Sequence, residues 1–157
     1  MKRVFLLKLY YELWKIKKLS SYKKLAQQFK DLTFQKGKMV LYRGVGLEIE
    51  PLKTNLGICW SFDYNKAYPY NGKGTPYKFY YICHALIPLK GINWKRTIEV
   101  NSDGFTYEKE IRLAFQQPIY VYQCDKIVIL PCYSDGTKWN FPKETYIVKY
   151  DFTKFLS

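Results

Sequence analysis

Met39-Val40-Leu41-Tyr42-Arg43, residues 39–43, is where the chain changes its rhythm. Upstream, apolar residues recur every three or four positions, the period of a helix packed on one side. From Met39 onward they come in short runs rich in β-branched and aromatic residues, split by Gly, Pro, Asn and Asp. Helices first and strands after is an α+β plan. The 157 residues suit one domain with a substantial core, divided into a basic helical segment 1–38 and a β-rich core 39–157.

Working back from Met39, Tyr22, Leu25, Ala26, Phe29 and Leu32 keep one face, and Ser20 or Ser21 offers an N-cap. Gly37 reads as the end of that helix. Over residues 2–19, Val4, Leu7, Tyr11 and Trp14 form an apolar stripe beside Lys8, Glu12, Lys15 and Lys18, which predicts an amphipathic first helix. Working forward, strands are predicted near 39–43, 58–62, 77–88, 97–100, 107–115, 119–123, 126–130 and 145–151. A helical turn is expected at 63–68, closed by Pro69, with loops at 71–76 and 101–104.

The charge is uneven. The chain carries +13, and residues 1–38 hold eleven basic residues against Glu12 and Asp31, leaving +4 for the rest. Such a segment suits a polyanion, either nucleic acid or an acidic protein face; the plain alternative is a solvated helix surface. Sixteen tyrosines imply many rings that pack while their hydroxyls reach water or a partner. Cys59, Cys83, Cys124 and Cys132 form no C-x-x-C pair, and His84 is the single histidine. No metal is therefore expected, and reduced thiols point to the cytoplasm. Val4-Phe5-Leu6-Leu7 is cut short by Lys8, so neither a signal core nor a membrane partner is expected.

Three polar groupings interrupt apolar runs: Leu41-Tyr42-Arg43-Gly44, Cys59-Trp60-Ser61-Phe62 and Tyr107-Glu108-Lys109-Glu110-Ile111. A buried polar group without a partner is costly, so each needs a partner or a ligand. Arg43 presents a fork suited to phosphate oxygens, and Gly44-Val45-Gly46 lets backbone approach a ligand. The Gly-x-Gly lacks the other marks of a dinucleotide fingerprint or P-loop. Strand alternation sets Ser61 opposite Trp60 and Phe62, and puts Glu108 and Glu110 on one side with Lys109 on the other. The plain readings are an ion-paired arginine, a backbone-bonded serine and an edge strand whose glutamates pair with Lys109 or Arg112.

Taken together, in this order, the three groupings resemble the R-S-E class of ADP-ribosyltransferases, over roughly residues 39–130. Trp60-Ser61-Phe62-Asp63 departs from that family's usual Ser-x-Ser. The resemblance implies a two-sheet β core that binds NAD as substrate. It implies that Arg43, with Gly44, contacts NAD phosphate or ribose, and that Ser61, beside Trp60, supports the catalytic glutamate. Glu110 would hold the nicotinamide ribose, and Glu108 would serve the acceptor, a protein and often its arginine. Phe105 or Tyr107 would recognise that acceptor, and Tyr64, Tyr68 or Tyr70 would stack on nicotinamide. The same residues suit an NAD glycohydrolase that ends in water. A non-enzymatic nucleic-acid-binding module, built from basic helices and stacking aromatics, is the competing class.

Overall fold

The strand that begins at Met39 is the organising element of the fold. The computed structural model describes residues 1–47, 56–67, 79–102, 109–114, 119–128 and 143–151. β1 (Phe34–Gln35) turns into β2 (Lys38–Leu47) through Lys36 and Gly37, with φ of 50° and 73°. Two successive positive φ values make the tight hairpin turn whose twist matches its strands. Gly37 thus closes a hairpin, not the second helix. That helix ends earlier, at Gln28, followed by a 3-10 turn Phe29–Asp31.

β3 (Cys59–Ser61), β4 (Phe79–Ile87), β5 (Glu110–Arg112), β6 (Tyr120–Val128) and β7 (Lys143–Asp151) complete one antiparallel sheet. Its order is β5-β3-β2-β4-β6-β7, with β1 on β2. The described strands therefore join in a single sheet, where two were expected. The predicted strands 119–123 and 126–130 merge into β6, which absorbs one irregularity against β4 between His84 and Ala85. The expected turn at 63–68 is α3 (Tyr64–Ala67). Residues 97–100, expected as a strand, lie within α4 (Trp94–Ser102), as do Asn101 and Ser102 of the expected loop. Val100 and Ile98 favour strands by type, but burying Thr97, Ile98 and Asn101 on one side needs a helical period.

α1 (Lys2–Lys15) and α2 (Tyr22–Gln28) pack their buried sides into the core of the sheet. Phe5, Leu9 and Leu13 of α1 and Leu25 of α2, with Phe29 and Leu32, share one core with Leu41, Trp60, Phe62, Ala85 and Ile111. The helices are thus part of the body and not an arm attached to it. The α1 stripe expected to face inward faces water: Val4, Leu7, Tyr11 and Trp14 are all exposed. α1 is apolar on two sides, and only the Phe5-Leu9-Leu13 side meets the sheet. Ser21 occupies the N-cap of α2, though its side chain makes no capping bond.

Candidate functional site

The register of the sheet sets a row of polar side chains across five strands. Glu110 pairs with Ser61, Ser61 with Tyr42, Tyr42 with His84, and His84 with Gln123. Register partners share a face, so this row lies opposite the core, while Trp60 and Ile111 point into it. Trp60 is 1% exposed and donates its indole N–H to the Gly57 carbonyl at 3.1 Å. It shapes the site from beneath and presents no surface to a ligand.

Arg43 sits one residue beyond Tyr42, on the side of Trp60 by alternation, and reaches past the start of β3. Its Nη1 donates to the Cys59 carbonyl at 2.8 Å, while its buried Nε finds no acceptor among the described residues. Gly57, at φ 67°, makes the turn that leads into β3 beside this guanidinium. Gly44, half-buried in β2, pairs with Ile82.

Glu110 opens β5 and forms an ion pair with Arg112, two residues along on the same side. Cys59 lies across from Arg112 as its register partner and shares a side with Ser61. Burial pushes its thiol up, the Glu110 charge and hydrogen bond push it further, and Arg112 and Arg43 oppose them. Glu110, Arg112 and Arg43 are therefore each within electrostatic reach of Cys59, brought there by β2, β3 and β5.

The residue before Glu110 is held by an unusual number of contacts. Lys109 has φ 47°, a left-handed conformation that side chains resist, and such strain persists only when surroundings impose it. Its carbonyl accepts from Ser61 Oγ and from the Phe62 amide, each at 3.1 Å. Its ammonium bridges Asp63 at 3.0 Å and Asp31 at 3.2 Å. The hydrogen bond to Asp63, and then that to Asp31, outweigh its desolvation and raise the Lys109 pKa. Ser61 Oγ also accepts from the Asp63 amide at 3.1 Å. Ser61 thus ties the start of β5 to the end of β3, and it reaches Glu110 through the backbone of Lys109.

Strand geometry, and with it the alternation used to place Glu108 beside Glu110, stops at Glu110. The strand expected over 107–115 is three residues long, and Glu108 lies outside the described residues, as do Phe105, Tyr107, Tyr68, Tyr70 and Cys132.

α4 supplies two residues that sequence reading missed. Asn101 donates Nδ2 to the Glu110 carbonyl at 2.7 Å and accepts the Glu110 amide at 3.3 Å. Thr97 Oγ1 accepts the Arg112 amide at 3.0 Å and donates to the Arg112 carbonyl at 3.4 Å. Both are buried, at 1% and 0% exposure, and sit one helical turn apart. They satisfy the outer edge of β5 and hold Glu110 from behind.

The other end of the row is a polar cluster also missed. Asp125 accepts from His84 Nε2 at 2.9 Å, from Tyr64 at 2.6 Å and from Gln123 at 3.1 Å. Burial alone would raise its carboxyl, but those hydrogen bonds and the His84 charge prevail and hold it well below the usual carboxylate range. The β6 irregularity turns Tyr122 toward His84, with ring centroids 6.0 Å apart. Tyr42 and Tyr64 also pack edge-on and tilted against that imidazole. Tyr64, an expected stacking residue, is thus anchored through its hydroxyl with its ring half-buried. The signal for this cluster lies in strand register, which no short motif carries.

Among the described residues no group of three or more His, Cys, Asp or Glu is placed to hold a metal, and no helix is long and apolar enough to cross a membrane. Comparison of the chain with protein-family models, curated proteins and solved structures finds no match.

Proposed function

We propose that this chain is an ADP-ribosyltransferase of the R-S-E kind, which breaks the bond between nicotinamide and ribose in NAD and passes ADP-ribose to a protein acceptor. The observation that carries this reading is the direct register pairing of Ser61 with Glu110, whose carboxylate pairs with Arg112 on the same face. The resemblance named the arginine, serine and glutamate from three separate stretches of sequence. Strand pairing brings those stretches side by side.

In this reading the nicotinamide leaves with the bonding electron pair, and positive charge develops on the ribose. The Glu110 carboxylate, held at the sugar hydroxyls, stabilises that charge, as carboxylates do in glycoside cleavage. Ser61, Asn101 and Lys109 keep Glu110 in place, and Arg112 orients its carboxylate. The resemblance assigns the pyrophosphate to Arg43 and Gly44: Gly44 lies on the Tyr42 side of the strand, and the Arg43 guanidinium comes to it past the start of β3 beside Gly57. Tyr64, Tyr68 or Tyr70 supplies an aromatic surface for nicotinamide. The acceptor attacks the ribose carbon and gives up its proton to Glu108. An arginine side chain is the acceptor that the Glu-x-Glu pattern favours.

The test is nicotinamide release from NAD by Glu110→Gln and Ser61→Ala proteins. Glu110→Gln lowers turnover by about a hundredfold or more with the melting temperature held. Ser61→Ala lowers it less, and restoring a hydroxyl with Ser61→Thr recovers part of the loss. A Glu110→Gln protein that turns over NAD like the wild type removes Glu110 from the mechanism.

A further inference from the structure

The outward side of α1 is apolar along its length. Val4, Leu7, Tyr11 and Trp14 follow at steps of three and four and so form one stripe, 50%, 64%, 48% and 60% exposed. Met1 and Tyr10 lie exposed nearby. Scattered apolar residues on a surface need no explanation, but a contiguous stripe of large ones marks a contact site. The helix cannot turn this side inward, because Phe5, Leu9 and Leu13 fix its other side in the core.

Cations border the stripe. The ammonium groups of Lys8 and Lys15 lie 5.3 Å and 5.1 Å from the Tyr11 ring centroid. Both also pair with Glu12, at 3.3 Å and 2.9 Å, so the one carboxylate of the helix is already matched twice. Arg3, Lys17 and Lys18 add charge on the helix and the turn that follows. Near Val4 the stripe meets a cleft of about 430 Å³, where Leu89, Ile92 and Trp94 line the wall and Lys8, Lys90 and Glu12 add polar groups.

These features select among occupants. A second copy of this chain would bring two sets of lysines together, which like charge opposes. A protein groove reads a helix stripe of the same i, i+3, i+7 spacing but gains nothing from the bordering lysines unless it is acidic, whereas an anionic bilayer meets both. A flat anionic surface needs one stripe only. It accepts Trp and Tyr rings at headgroup level while lysine stems run along the apolar surface to reach phosphate.

We infer that the outward face of α1 docks on an anionic lipid bilayer, with Val4, Leu7, Tyr11 and Trp14 entering the boundary between headgroups and acyl chains. The helix lies in the interface plane and does not cross it. The sequence expectation of no membrane partner rested on the want of a spanning segment, and a helix lying on the surface needs none. Docking in this way is independent of what the polar row of the sheet does.

Co-sedimentation of the full chain with vesicles tests this. The chain pellets with phosphatidylcholine vesicles containing one-third phosphatidylserine and stays in solution with phosphatidylcholine alone. Leu7→Glu combined with Trp14→Glu weakens that partitioning by about tenfold or more, with an unchanged melting temperature because both side chains face water. Equal partitioning onto the two kinds of vesicle overturns the inference. So does a double variant that binds like the wild type, which would leave the stripe out of the contact. So does wild-type self-association that the double variant abolishes, which would give the face to a second copy.

Discussion

Asp125 is buried at 1% exposure yet held ionised by three donors, which makes it the residue with the clearest consequence for stability. Its folded carboxyl is depressed, so the stability it adds is fully present above the unfolded value of about 3.9 and is lost as pH falls through the lower folded value. Wild-type stability should therefore drop steeply below about pH 4 in urea titrations, and Asp125→Asn should flatten that drop. At neutral pH the same substitution leaves the His84 imidazole without its carboxylate and should cost about 3 kcal/mol. A second residue-scale test concerns Cys59. Burial is the main reason its thiol is pushed up, and the Glu110 charge is the next. Glu110→Gln should lower that thiol and speed alkylation of Cys59 near pH 8, where more of it becomes thiolate. An unchanged rate would mean that Glu110 does not face Cys59. This measures the geometry of the site without reference to any activity.

Among the elements, α1 gives the sharpest contrast between what a period implies and which side is used. Leu9→Ala should cost about 2–5 kcal/mol, because it empties a fully buried position. Leu7→Ala, two residues away, should change stability by no more than about 0.5 kcal/mol. Denaturant unfolding of the two proteins checks both. The helical period of α1 was legible in the sequence, but its inner side was not: two apolar stripes fit the same period, and only the sheet decides between them. Likewise α3 and the long run of β4 followed from local pattern, since turn residues and apolar runs are local signals. Residues 97–100 were misread because Ile98 and Val100 suit either element, and it is the Thr97 and Asn101 bonds to β5 that require a helix there. Arg43, Ser61 and Glu110 could be picked out as polar intrusions in apolar runs. Nothing local could reveal that Ser61 acts through the Lys109 carbonyl, or that His84 and Asp125, forty-one residues apart, form one cluster.

On the scale of the whole molecule, the helices of residues 1–38 and the sheet bury one another's apolar surface in one core. Unfolding followed by circular dichroism and by tryptophan fluorescence should therefore give a single coincident transition. Two separated transitions would mean that the basic segment folds as its own unit. That core fixes β2 and β3 from one side, α4 fixes β5 from its edge, and together they leave the Glu110-Ser61-Tyr42-His84-Gln123 row on the opposite face. A rigid sheet with buried supports is how such a row keeps its geometry. The most direct test of the proposed activity is to incubate the wild-type and Glu110→Gln proteins with NAD labelled in its adenylate part, in the presence of cell lysate. The proposed activity yields free nicotinamide and label transferred to protein with the wild type, and neither with the variant. NAD left intact by the wild type, or consumed equally by both, would contradict it.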